Sequence, residues 1–154
     1  MLSLLKARKI VDQATRRARE LGVNISVAVC DNTGRLVALN QMDRSRGWEA
    51  DRCSIGKAVA AAVSGLPSDR LMERLQRHGL RPISYVVPPR GQRGGLPVFQ
   101  RGVVQGGCGV SGSATEAQDE ECARAGIAAI EETIIESAPG GARSDIFIEN
   151  RDVK

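Results

Sequence analysis

Lys57 is the residue whose surroundings most clearly indicate chemistry. It lies in an alanine-rich segment with helical spacing, close to Cys53, Gly56, Ala60 and Ala61. A charged side chain on a helix face of small residues points either into a pocket or into an interface, and a buried lysine needs a partner or a lowered pKa. The alternative is a lysine at the helix edge whose ammonium reaches solvent.

Other side chains near Lys57 in the sequence could take part in a reaction. Cys53 lies in the first turns of the same predicted helix, next to Arg52, and a helix N-terminus or a nearby cation favours the reactive thiolate. Asp43 and Glu49 could pair with Lys57 or act as a general base. One hypothesis is therefore a catalytic set of Lys57, Asp43 and Cys53. The other is that Cys53 is a small residue of the core.

A second group of candidate residues is suited to binding an anion. The turn of residues 109–114 precedes a predicted helix, whose free N–H groups and dipole favour negative charge, and glycine permits close approach of a ligand. Capping by Ser113 or Thr115 would satisfy the same N–H groups instead. Arg90 and Arg93 could bind a carboxylate in bidentate fashion, or could be solvated in their loop. The predicted ligand contacts are Trp48, Arg90, Arg93, Cys108, Gly109, Ser111, Gly112 and Ser113.

Neither a metal site nor a nucleic-acid surface is predicted. The four cysteines show no CxxC or other metal-type spacing, and His78 is the only imidazole. His78 precedes Gly79 at the predicted end of a helix, where a cation complements the dipole, although an imidazole can also bind haem iron. The net charge of +4 is scattered and aromatic residues are few. Because a nucleic-acid surface needs a basic stripe with aromatics, the charge better suits a small anionic ligand.

The length of 154 residues is that of one typical domain, and 42% of the residues are apolar. No apolar run approaches the roughly 18 residues that a membrane helix needs, and the first residues lack the apolar region of a signal peptide. We therefore expect a cytoplasmic protein without a membrane partner. Residues 1–138 are predicted to form a single domain, and residues 139–154 a C-terminal tail.

Hydrophobic spacing predicts four helices and five strands. Apolar residues at three- and four-residue steps indicate the first helix, which Gly22 ends. The Asp31–Gly34 segment has the composition of a turn between two strands, Ser68 is a plausible N-cap, and Thr115 with Gln118 fits a capping box. The predicted order is helix 4–21, strands 25–30 and 35–42, helices 48–64 and 69–78, strands 83–87, 96–100 and 103–110, and helix 116–137. This order is typical of an α+β domain with a mostly antiparallel five-stranded sheet.

Several motifs together resemble the GlcG/HbpS-like family. Residues 94–126 read GGLPVFQRGVVQGGCGVSGSATEAQDEECARAG, which is similar to the family's GG-x-P strand, G-x-G-V-S-G turn and D-E-x-x-A-x-A-G helix. Residues 26–43, SVAVCDNTGRLVALNQMD, resemble its first hairpin, and Lys57-Ala58 resembles its K-A helix segment. The resemblance covers about residues 2–137. It implies a profilin-like fold with helices on both faces of the sheet, assembly into dimers or larger even-numbered oligomers, and a pocket that includes Lys57.

Two hypotheses for the function follow. The resemblance implies a protein that binds haem or a related tetrapyrrole, with haem as the expected cofactor if there is one. The residues alone also suit a cofactor-free tautomerase, hydrolase or lyase that acts on a small carboxylate of a catabolic pathway. Under this second hypothesis, Arg90 or Arg93 would bind the carboxylate and the Gly109–Ser113 turn would stabilise an oxyanion.

Both hypotheses share one expected site and one expected assembly. The Lys57 helix, the 90–95 loop and the turn after the last strand should meet at a single cavity, and Lys57→Met should weaken binding without unfolding the protein. The small residues of the 58–64 helix and the apolar Ile146–Ile148 segment predict surfaces that need a partner, and therefore a homo-oligomer.

Overall fold

The first helix follows the spacing of its apolar residues. In a computed structural model, which describes residues 1–47, 49–80 and 92–137, helix α1 spans Leu4–Leu21. The Ser3 side chain caps its start by accepting from the Lys6 N–H, and Gly22 ends it with φ at 69°. Ile10, Val11 and Ala14 lie on its buried face. The predicted start and end of this helix are confirmed, and its predicted inner face is confirmed except at Leu4, which is exposed.

Four antiparallel strands form the sheet, in the order β2-β1-β4-β3. Strand β1 spans Ser26–Asp31, β2 Leu36–Gln41, β3 Gly95–Gln100 and β4 Val103–Ser111. Both predicted hairpins are confirmed, with bounds within a residue or two. The fifth predicted strand, residues 83–87, lies outside the described residues, so the five-stranded and profilin-like forms of the fold stay predictions.

Helices cover both faces of the sheet. Helix α2 spans Ala50–Ser64 and packs on one face, whereas α1 and α4, which spans Glu116–Ser137, pack together on the other. Strand β1 shows the division, because Val27 and Val29 belong to the α1/α4 core while Ala28 and Cys30 contact the α2 side. This alternation is the ordinary consequence of side chains pointing to opposite faces of a strand.

Glycines in the sheet let helix α2 lie unusually close to it. A Cβ atom at Gly107 would come within 2.2 Å of the Ala58 carbonyl oxygen, and one at Gly109 within 2.0 Å of the Ser54 carbonyl oxygen. Gly95 faces the Lys57 carbonyl in the same way, at 2.4 Å. The backbone of α2 occupies the space that a side chain would need, so only glycine fits at these three positions.

Helix α3 spans Ser68–Arg77 and corrects one local prediction. Ser68 is not the N-cap: it is the first helical residue, and its hydroxyl donates to the Gln92 carbonyl and accepts from the Gly95 N–H at 3.0 Å. These two hydrogen bonds of Ser68 connect the start of α3 to the start of β3. His78 follows the helix as its exposed C-cap, which agrees with the structural interpretation of this residue.

Candidate ligand-binding site

A cavity of about 450 Å³ lies where α2, the turn between β4 and α4, and the start of β3 meet. We call it the Lys57 cavity. Its volume lies in the usual range for small-molecule sites, about 300–1,000 Å³. Its lining residues are Arg46, Gly47, Glu49, Ala50, Cys53, Lys57, Gln92, Ser111, Gly112, Ser113, Glu116 and Asp119.

Lys57 is buried and held by two acceptors. Only 4% of its side chain is exposed, so it does not reach solvent at the helix edge. Its ammonium donates to the Val110 carbonyl oxygen at 2.8 Å and to Asp119 Oδ2 at 3.1 Å. A buried lysine requires such a counter-charge, because an isolated charge costs several kcal/mol to remove from water. The partner that sequence reasoning sought in Asp43 or Glu49 is therefore supplied by Asp119.

Asp119 fixes the turn that closes the cavity. Its second oxygen, Oδ1, accepts the Ser113 N–H at 3.1 Å, while Oδ2 accepts from Lys57. Lys57 in turn holds the Val110 carbonyl. One ion pair thus binds the backbone just before and just after residues 111–112, and Ser113 N–H, which was expected to face a ligand, is already paired.

The N-terminus of α4 is capped within the chain. Thr115 Oγ1 accepts the Gln118 N–H at 3.2 Å, as the predicted capping box requires. The reciprocal half is missing, because Gln118 Oε1 is buried without a partner among the described residues. Capping by Thr115 therefore occupies one of the N–H groups that could have served an anion.

Gly94 lies against the ion pair. Its φ is +118°, and a Cβ atom there would come within 2.6 Å of the Val110 carbonyl oxygen and 3.1 Å of Lys57 Nζ. A conformation that L-residues avoid and a lack of space both require glycine here. The first glycine of the GG-x-P motif is thus explained by the Lys57–Asp119 pair beneath it.

Cys53 is the thiol that reaches the Lys57 cavity. It is half-buried, whereas Cys30, Cys108 and Cys122 are buried and all four are free. Burial raises the pKa of Cys30 to about 12 and that of Cys122 to about 11, and it raises the pKa of Cys108 further still. The three buried thiols are therefore inert core residues, as a raised pKa leaves no thiolate.

The chain is similar in sequence and in fold to proteins of one known family. Residues 2–128 match the family described as "Haem degrading protein HbpS-like". The chain belongs to the HbpS-like family. Among solved structures, a double mutant of HbpS from Streptomyces reticuli is 30% identical, with a TM-score of 0.74 over 82% of this chain and 85% of that one.

Two more distant structures share the fold of this HbpS-like chain. Klebsiella pneumoniae protein ORFY is 23% identical, with a TM-score of 0.74 over 84% of this chain and 90% of its own. PduOC, solved as a complex with haem, is 23% identical, with a TM-score of 0.72 over 83% of this chain and 94% of its own. No curated protein matches the chain significantly.

Some predicted site residues of this HbpS-like chain lie away from the cavity. Cys108 and Gly109 are not among the lining residues, since Cys108 packs in the α1/α4 core and Gly109 faces Ser54 of α2. Asp43 is exposed and lines a separate cavity of about 400 Å³ together with Arg19. The structure therefore does not bring Asp43 together with Lys57 and Cys53.

Of the two arginines predicted to bind a ligand, the structure describes only Arg93. Arg93 donates to Glu120 at 2.9 Å, and Glu120 also accepts from Arg124 at 2.9 Å. The hydrogen bond to Glu120 raises the pKa of Arg93. Arg93 is thus engaged with a carboxylate of its own chain. Arg90 and Trp48 lie outside the described residues.

Sequence reasoning missed Arg46, Ala50 and Asp119 as cavity residues. The signal that could have identified Asp119 is a buried lysine that needs a carboxylate partner. Arg46 is placed by its backbone, whose N–H donates to the Gly112 carbonyl at 3.1 Å. Within the described residues, no cluster of three or more His, Cys, Asp or Glu could hold a metal ion, and no helix is long and apolar enough to cross a membrane.

Proposed function

We propose that this protein binds haem or a related tetrapyrrole in the Lys57 cavity. The membership of a family described as haem-degrading and the 30% identity to HbpS support the class of ligand. The single observation that carries the placement is a cavity of about 450 Å³ whose wall has both a free thiol, Cys53, and a guanidinium side chain, Arg46.

The residues of the cavity suit the parts of a tetrapyrrole. Haem proteins hold iron through His, Cys, Met or Tyr side chains, and the Cys53 thiol is the group of this kind on the described wall. Arg46 is exposed at the wall and is suited to a propionate, because guanidinium groups bind carboxylates in bidentate fashion. His78, the alternative iron ligand, is exposed on α3 and does not line the cavity. Bound haem would supply an iron centre for redox chemistry at this site.

The proposal is tested by titrating hemin into the purified protein and following the Soret band. We expect saturable binding, and we expect Cys53→Ala to change the position of the band because an iron ligand is lost. Cys122→Ala is the matched control, since Cys122 is buried in the core and lines no part of the cavity. If neither hemin nor an open-chain tetrapyrrole binds saturably to the unmodified protein, the proposal is refuted.

The catalytic hypothesis stays a prediction from sequence. Its three groups were Lys57, Asp43 and Cys53, and the first two line different cavities. The ammonium of Lys57 is also paired with the carboxylate of Asp119. No described contact favours turnover over binding.

A further inference from the structure

The positive charge of Lys57 is balanced inside the protein. Lys57 and Asp119 are 4% and 8% exposed, and their charged atoms lie 3.1 Å apart. At such a distance in a poorly solvated site, the attraction between two opposite charges far exceeds its value in water. A ligand therefore meets a compensated pair at the floor of the cavity and not an isolated cation.

One N–H group of the Lys57 ammonium remains without an acceptor among the described residues. An ammonium carries three N–H groups. Val110 and Asp119 take two of them, and the part of the chain that the structure describes offers no acceptor for the third. Because Lys57 lines the cavity, this third donor is available to a ligand. A buried donor left without an acceptor costs about as much as a lost hydrogen bond, so a ligand that accepts it gains affinity.

The acidic residue beside Lys57 decides which acceptor fits. Asp119 lies 3.1 Å from the Lys57 ammonium, so a ligand carboxylate at that ammonium would approach a like charge. Like charges at close range oppose each other strongly where water is scarce. A carbonyl or hydroxyl oxygen accepts the same hydrogen bond without adding charge. Carboxylates of the ligand are better placed at the exposed Arg46.

We infer that the third N–H of Lys57 binds an uncharged oxygen of the ligand, with Asp119 acting as the positioning residue that cancels the charge of Lys57. This inference rests on the proposed function, which it narrows. Among tetrapyrroles, an open-chain compound has lactam carbonyl oxygens at its ends, whereas the haem ring has none. The cavity should therefore prefer an open-chain tetrapyrrole to haem.

Biliverdin and hemin form a suitable pair of probes, because each has two propionates and only biliverdin has lactam oxygens. Because only hemin would gain a bond from Cys53 to its iron, the comparison is made in the Cys53→Ala protein, which should bind biliverdin about tenfold more tightly than hemin, the value of one charge-assisted hydrogen bond. The double variant Lys57→Met with Asp119→Leu removes the donor without leaving a buried charge. Because Asp119 also accepts the Ser113 N–H, the affinities for both probes can fall, so the readout is their ratio: in the Cys53→Ala background, the tenfold preference for biliverdin should be lost.

A second double variant, Lys57→Gln with Asp119→Asn, keeps an uncharged donor and should keep the preference for biliverdin. It also serves if the first variant does not unfold cooperatively by circular dichroism. Equal affinity of the Cys53→Ala protein for both probes would overturn the inference alone. A preference that survives in the Met/Leu variant, or one that is lost in both variants, would also overturn it. Failure of both probes to bind would overturn the proposed function itself.

Discussion

The ammonium of Lys57 on α2 and the carboxylate of Asp119 on α4 form a 3.1 Å ion pair at the C-terminal end of β4. Helices α2 and α4 cover opposite faces of the sheet, so this ion pair links the two helical layers. Both of its residues also line the Lys57 cavity. The same two side chains hold the backbone of the β4–α4 turn at Val110 and Ser113. The pair therefore belongs both to the fold and to the candidate site.

Lys57→Met should destabilise the protein by about 3–5 kcal/mol, because it leaves the Asp119 carboxylate buried without its partner. This prediction differs from the one made from the sequence, in which Lys57→Met weakens binding without unfolding the protein. Urea denaturation followed by circular dichroism measures the change, and Lys9→Met on the exposed face of α1 is the matched control. An unchanged midpoint for Lys57→Met would contradict the burial of the pair.

Gly109→Ala should cost at least about 3 kcal/mol, because the new Cβ would lie 2.0 Å from the Ser54 carbonyl oxygen and would force α2 away from the sheet. Gly102→Ala is the control. Its φ of +70° is unfavourable for alanine but its Cβ meets open space, so we expect about 1–2 kcal/mol. Thermal unfolding compares the two. Equal losses would show that the contact between α2 and β4 is looser than described.

Local signals were enough to predict most elements of the fold. The end of α1 at Gly22 and the hairpin around Asp31–Gly34 depend on a few neighbouring residues, and both are confirmed. Ser68 shows the limit of such signals, because its hydroxyl serves Gln92 and Gly95, which are more than twenty residues away. A helix-start residue type does not reveal a partner of this kind.

The candidate site was less predictable, for two physical reasons. Strand β4 alternates its faces, and the sequence does not say whether Cys108 or Gly109 faces the cavity side; in fact Cys108 packs in the core and Gly109 contacts α2. Lys57 and Asp119 are 62 residues apart, so their pairing depends on the completed sheet. Lys57 and Ser111, which are both predicted site residues, line one cavity, but the charge balance of that cavity required the structure.

Glu120 should make stability depend on pH in the acidic range. The hydrogen bond from Arg93 and the charges of Arg93 and Arg124 lower the pKa of Glu120 below its ordinary value of 4.5. A carboxyl whose folded pKa is lowered stabilises the fold fully above its unfolded pKa, and this contribution is lost as the pH falls through the folded pKa. We therefore expect Glu120→Gln to be less stable than the unmodified protein at pH 7 and to show a smaller loss in melting temperature below about pH 4.5. Parallel curves for the two proteins would contradict this assignment.

Self-association stays a prediction, but the structure points to a different surface for it than the small residues of α2. The small residues Ala58–Ala62 are buried within the chain, where they pack against glycines of the sheet, so they no longer indicate an interface. Leu36 and Leu39 on the edge strand β2 are 43% and 37% exposed and are better candidates. We expect a mass of at least twice 16.5 kDa by light scattering, and a lower mass for Leu39→Glu. A mass near 16.5 kDa at all concentrations would exclude the oligomer.

Cys53 should be the one cysteine that reacts rapidly with a maleimide in the folded protein. It is half-buried at the cavity wall, whereas burial raises the pKa of the other three thiols and denies them both access and thiolate. Mass spectrometry should find one label on the native protein, none on Cys53→Ala, and four on the urea-unfolded protein. If the proposed function is correct, saturating hemin should slow the labelling of Cys53 about tenfold or more, since bound tetrapyrrole would cover the thiol. Labelling of Cys53 at the same rate with saturably bound hemin would place the ligand elsewhere, and rapid native labelling of Cys108 would contradict its place in the core.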